Sequence, residues 1–118
     1  MLIDFKLYRR NKTATRSSIA AKQEDGSIRI VYCHWDGYPD TVGVILLKHY
    51  NSLEKTNSIL NLGDLSSLGP SVEKPEGHSF DTPVNGYSVF YGRDRGEAGT
   101  EAREYYTYDM ALDDCRQE

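Results

Sequence analysis

Cysteine, tryptophan and proline are scarce in this chain of 118 residues: two Cys, one Trp and four Pro. Cys33 and Cys115 stand far apart and outside any close Cys/His spacing, so neither a disulfide framework nor a zinc motif is indicated. Long apolar runs are lacking too. No stretch approaches the roughly 20 residues that span a bilayer, and the charged segment 1–8 does not read as a signal peptide. The chain is therefore expected to work where it is made, with no membrane partner. A basic excess is also missing, the formal charge being −4. That argues against nonspecific nucleic-acid binding, which needs a phosphate-neutralising surface. Absent as well are a phosphate-loop lysine motif, a dinucleotide glycine fingerprint, a paired-histidine zinc helix and a nucleophile elbow, so no cofactor and no metal are implied and an enzyme is the less favoured class. His49 and His78 have no carboxylate or cysteine partner at ligand spacing.

What remains suits one water-soluble domain, residues 1–118, with a mean hydropathy of −0.63. Nine tyrosines outnumber three Phe; they favour a recognition surface, or else line a sheet, for which Tyr has good propensity. Charge is uneven. Lys6, Arg9, Arg10, Lys12, Arg16 and Lys22 make the beginning basic, and Glu97, Glu101, Glu104, Asp109, Asp113, Asp114 and Glu118 make the end acidic.

Residues 15–22 and 27–33 read as two arms of a hairpin around Glu24, Asp25 and Gly26, with Ile28, Ile30 and Tyr32 alternating with Arg29, Val31 and Cys33. Asp40 or Thr41 can cap a helix carrying Val42, Ile45, Leu46, His49 and Tyr50 on one side. Asn51 with Glu54 resembles a capping box for a second helix ending near Gly63. Strand character returns over 87–91 and 104–108. The predicted fold is α+β, a small antiparallel sheet with two short helices packed on one face, a flexible N-terminal arm at 1–13, a surface loop at 70–83 and a frayed tail at 110–118. Exposed strand edges allow a homodimer.

Two segments could carry chemistry. The first is Cys33, His34, Trp35, Asp36, Gly37, Tyr38 and Pro39, between a strand and a helix. His34 and Asp36 can supply hydrogen bonds while Trp35 or Tyr38 stacks on a planar group. A capped turn is the competing reading, with Trp35 in the core, Asp36 on backbone amides and Gly37 at positive φ. The second is Tyr91, Gly92, Arg93, Asp94, Arg95, Gly96 and Glu97. Here Arg93 and Arg95 can present forks to phosphate or carboxylate with Asp94 and Glu97 holding them, or the four charges can neutralise one another on an exposed turn. The segment from Leu62 to Gly69 reads as structural, Asp64 capping a turn pinned by Leu65 and Leu68.

Taken in order, Arg16-Ser17-Ser18-Ile19-Ala20, Tyr32-Cys33-His34-Trp35-Asp36-Gly37-Tyr38-Pro39, Leu62-Gly63-Asp64-Leu65-Ser66-Ser67-Leu68-Gly69 and Tyr91-Gly92-Arg93-Asp94-Arg95-Gly96-Glu97 resemble small bacteriophage and prophage accessory proteins without assigned function. The resemblance implies a protein of the host bacterial cytoplasm during infection, whose leading role would be counter-defence through a host defence protein or a phosphate-bearing small molecule. Sequestering a nucleotide-like signal would use Arg93, Arg95 and Trp35 or Tyr38; occluding a nucleic-acid-binding effector would use the acidic end. A virion or regulatory phage interaction protein, and a small nucleotide-processing enzyme using His34 and Asp36, are the alternatives.

Overall fold

The computed structural model of the protein describes residues 3–8 and 15–116. Strands β1 (Ile3–Tyr8), β2 (Arg16–Lys22) and β3 (Ile28–Cys33) form an antiparallel meander. The hairpin between β2 and β3 turns through Gly26 at φ +90°, and Asp25 accepts from the Ser27 backbone N–H and hydroxyl. Part of the flexible arm expected at 1–13 is thus a strand over Ile3–Tyr8, where Ile3, Phe5 and Leu7 alternate with polar residues in the sequence. The rest of that arm lies outside the described residues.

After β3 a π turn, Pro39–Gly43, leads into α1 (Val44–His49), and α2 (Leu53–Leu60) follows. The N-cap of α2 is Ser52, which accepts from the Lys55 N–H at 3.1 Å, rather than Asn51. Gly63 ends the helical region at φ +88°, and β4 (Leu65–Ser67) then lies parallel to β3. β5 (Val89–Phe90) pairs antiparallel with β4, α3 (Tyr91–Arg95) is a short helical turn, and β6 (Arg103–Tyr105) returns antiparallel to β3 before α4 (Tyr108–Arg116).

The fold is α+β. Its sheet runs β1-β2-β3-β4-β5, with β6 also on β3. It is antiparallel but for the β3–β4 pair, because the two intervening helices carry the chain across one face and back in the same direction. β6 takes Ile28–Ile30 and β4 takes Cys33 on the same edge of β3. The Tyr32 N–H between them is met at 2.8 Å by the Asp64 carboxylate, which Arg103 approaches at 3.4 Å. Asp64 therefore closes a gap in the sheet instead of capping a turn.

β3 is buried on both faces. Val31 and Cys33, with Ile19, Ala21, Leu65 and Phe90, meet Val42, Leu46, Tyr50, Ile59 and Leu60 in the larger core. Ile28 and Ile30, with Ala20, meet Ala111 of α4 and the rings of Tyr105 and Tyr108. The tail expected to fray at 110–118 is helical to Arg116 because Ala111 finds this second face. Residues 117 and 118 lie outside the described residues. The loop at 70–83 forms no helix or strand beyond an isolated bridge between Ser71 and Tyr87, yet His78 within it is buried.

Candidate functional site

The chain leaves β3 along β4: the N–H groups of His34 and Trp35 donate to the carbonyls of Leu65 and Ser66 at 3.1 and 2.9 Å. It then turns at Asp36, which adopts φ +58°, a left-handed conformation rare outside glycine. The carbonyl of Asp36 accepts from the N–H groups of Tyr38 and Val42 and from the Thr41 hydroxyl, so this residue fixes the helix start through its backbone. Gly37 does not supply the positive φ. It is needed for close approach, since a Cβ there would stand 2.8 Å from Ser17 Cβ and from the Thr15 carbonyl, whose oxygen accepts the Gly37 N–H at 2.9 Å. Tyr38, half-buried and extended, caps the π turn, and Pro39 begins it.

The N–H groups of His34, Trp35, Gly37 and Tyr38 are all held by backbone carbonyls, and the Trp35 side chain faces out. Trp35 is 41% exposed instead of filling the core. Its ring meets the His34 ring edge to face, with centroids 4.6 Å apart. His34 Nδ1 and the Tyr32 phenol share a hydrogen bond of 2.5 Å. Partial burial lowers the His34 pKa below its ordinary value, and the nearby charge of Arg16 lowers it further, so the ring is neutral at pH 7. Arg16 begins β2 one residue beyond the Ser17–Cys33 pair and so lies opposite His34 on the same sheet face. Asp36 is exposed and does not orient the His34 ring.

The second segment is built the other way round. Asp94 is fully buried; it accepts from the Phe90 N–H at 2.8 Å and from Arg93 Nε at 2.9 Å, with His78 Nε2 3.4 Å away. Burial alone would raise the Asp94 carboxyl, but Arg93, the Phe90 amide and His78 together hold it below the usual carboxylate range. The Arg93 fork is spent inward, on Asp94 and on the carbonyls of Val72 and Ser88. It is unavailable to a ligand phosphate. Arg95 is exposed, lies over the Phe80 ring at 4.7 Å and stands 4.0 Å from Glu97. Tyr91, half-buried, packs on Phe80 at 5.5 Å; burial raises its pKa while the Ser66 hydroxyl opposes the rise. Gly96 ends the turn at φ +74°.

β4 joins the two segments, since Ser66 bonds Trp35 by its backbone and neighbours Tyr91 by its side chain. His78, read from sequence as partnerless, is a tertiary partner of Asp94 and also accepts the Val84 N–H at 2.9 Å. It joins Arg93 and Asp94 in a clamp holding the 70–87 region. A cavity of about 400 Å³ between residues 67–70 and 83–87, with Leu68 and Val89 on its lining, touches neither segment. Sequence reasoning missed Tyr32, Arg16 and Phe80 as neighbours of the site. For the first two the available signal was the hairpin register, in which Tyr32 stands two residues before His34 and Arg16 lies opposite it.

Among the described residues no group of three or more His, Cys, Asp or Glu side chains is placed to hold a metal ion, and no helix is long and apolar enough to cross a membrane. Comparison with known proteins finds no protein-family model, no curated protein and no solved structure that matches this chain.

Proposed function

We propose that the protein is a small binding protein, a phage accessory factor of the host bacterial cytoplasm, that serves counter-defence by sequestering a nucleotide-like signal. The observation that supports this reading is Trp35, an exposed ring whose own N–H and those of His34, Gly37 and Tyr38 are held by backbone carbonyls, standing against His34, which Arg16 neighbours. A rigid aromatic presented this way binds a planar group at little entropic cost. Catalysis is the weaker reading, since His34 is paired with a phenol rather than with the Asp36 carboxylate that an acid–base role would use.

Occlusion of a host effector is kept as a second reading because Glu97, Glu101, Glu104 and Asp109 are all exposed. Native mass spectrometry of the protein recovered from infected host cells tests both. A nucleotide-sized adduct on the natural protein, lost in Trp35→Ala, is the expected result. No adduct, or one that the variant retains, overturns sequestration. A bound host protein that survives Trp35→Ala but is lost when Glu101 and Glu104 are reversed in charge transfers the function to the acidic surface.

A further inference from the structure

We infer that the corner formed by Arg16, His34 and Trp35 takes a nucleoside monophosphate, its phosphate on Arg16 and His34 and its base on Trp35. This rests on the sequestration reading and replaces the arginines that the sequence pointed to.

The choice of cation follows by elimination among the arginines whose surroundings are known. Arg93 is consumed by Asp94 and two carbonyls, Arg103 faces Asp64, Arg95 lies over Phe80 beside Glu97, and Arg29 donates to the Asn61 side chain at 3.0 Å. Arg16 differs. Its Nε is buried and has no hydrogen-bond partner, and no carboxylate pairs with it among the described residues. A buried guanidinium N–H without an acceptor is rare in folded proteins, and an anionic oxygen is what would complete it.

His34, opposite Arg16 in the hairpin register, supplies a second donor on the same sheet face. Its Nδ1 faces the Tyr32 hydroxyl, and a phenol is a far stronger acid than a neutral imidazole N–H. The phenol therefore donates, the ring keeps its proton on Nε2, and that N–H is left for a ligand. Burial and the charge of Arg16 both resist protonation of His34, so the corner offers a phosphate one fixed positive charge and one neutral N–H donor. The ring half of the ligand is taken by Trp35, which is 41% exposed and meets the His34 ring in a T-shaped contact with centroids 4.6 Å apart. The Gly37 N–H to Thr15 carbonyl bond ties the Trp35 loop to the residue before Arg16, so the two backbones are anchored side by side. Asp36 is exposed beside Trp35 and in no ion pair among the described residues, a suitable acceptor for the exocyclic amine of adenine or guanine.

Trp35 is the sole tryptophan, so its fluorescence reports the site directly. The full chain is titrated with AMP, GMP, adenosine and inorganic phosphate. AMP or GMP is expected to quench Trp35 saturably, adenosine to bind about tenfold more weakly or worse, and phosphate to compete with the nucleotide without quenching. Arg16→Gln should weaken the nucleotide at least about tenfold and leave adenosine unchanged, with Arg16→Lys falling between them. Circular dichroism melts show whether each variant is folded, and the adenosine comparison on the natural protein stands without any variant. Equal binding of AMP and adenosine, no saturable quenching by either nucleotide, or an Arg16→Gln variant that binds AMP normally each overturns the inference. A nucleotide-sized adduct in native mass spectrometry that Trp35→Ala abolishes and Arg16→Gln retains would sink this inference while leaving the sequestration reading intact.

Discussion

Replacing Asp94 by Ala should be among the most damaging single changes outside the apolar core. The substitution removes the acceptor of the Phe90 N–H, itself in a fully buried residue, and the partner of Arg93 Nε and Nη2 at 2.9 and 3.1 Å. An orphaned buried amide costs about 1–3 kcal/mol, and breaking a buried ion pair by deleting one partner about 3–5 kcal/mol. These overlap. The Arg93 side chain is 19% exposed and recovers some hydration, so the expected loss is about 3 kcal/mol. Against a typical total of about 5–15 kcal/mol this lowers the melting temperature by roughly 10 °C. Asp94→Asn keeps an acceptor for Phe90 but loses the charge, and should cost about half as much. Urea unfolding followed by far-ultraviolet circular dichroism measures both. The pH dependence gives an internal check. A carboxyl whose folded pKa is lowered contributes fully above the ordinary carboxylate value near 3.8, and the contribution is lost as pH falls through the folded value. The gap between the natural protein and Asp94→Ala should therefore be constant near neutrality and shrink below about pH 4. A loss under about 1 kcal/mol at pH 7, or a gap that widens in acid, would refute the clamp as described.

Two further outcomes follow from close packing. Gly37→Ala should cost about 1–3 kcal/mol, because the added methyl meets Ser17 and the Thr15 carbonyl at 2.8 Å; an unchanged urea midpoint would show that the loop can move aside. Burial pushes the Cys33 thiol up to about 12, so iodoacetamide at pH 8 should leave Cys33 unlabelled in the folded protein and label it in urea. Peptide mapping reads this residue separately from Cys115, and rapid native labelling of Cys33 would contradict its place in the core.

The parts of the fold legible in the sequence were those set by neighbours in the chain. The β2–β3 hairpin follows from period-two alternation and the Asp25-Gly26 turn, and its register is then determined. The helical segment after Pro39 follows from its spacing of apolar residues, but its start was misplaced: Tyr38 stands at the N-cap, not Asp40 or Thr41, because the Asp36 and Tyr38 carbonyls already take the first turn's N–H groups. Its neighbour α2 was readable in extent, but Asn51 and Ser52 are both good caps, and only the chain direction after Tyr50 selects Ser52. The tail was misread for a related reason. Met110, Ala111 and Leu112 give α4 too little apolar surface to hold a helix alone, and it is the Ile28–Ile30 face of the sheet that stabilises it. Likewise the strand expected over 87–91 stops at Phe90, since Asp94 draws the chain into α3.

Sequence also located the His34–Pro39 loop, because strand exit, Gly and Pro are local signals, but left open whether Trp35 fills the core or faces out. Which charges are free was decided by tertiary structure alone. Arg93 and Arg16 are equally basic in a sequence, yet Asp94, Val72 and Ser88 converge on the first, and Arg16 Nε is left without a partner. His78 and Asp94 are 16 positions apart and meet only because β5 and α3 fold back against the 70–83 loop. A side chain's identity states what it can bond; the acceptors brought near it by the rest of the chain state what it has left to offer.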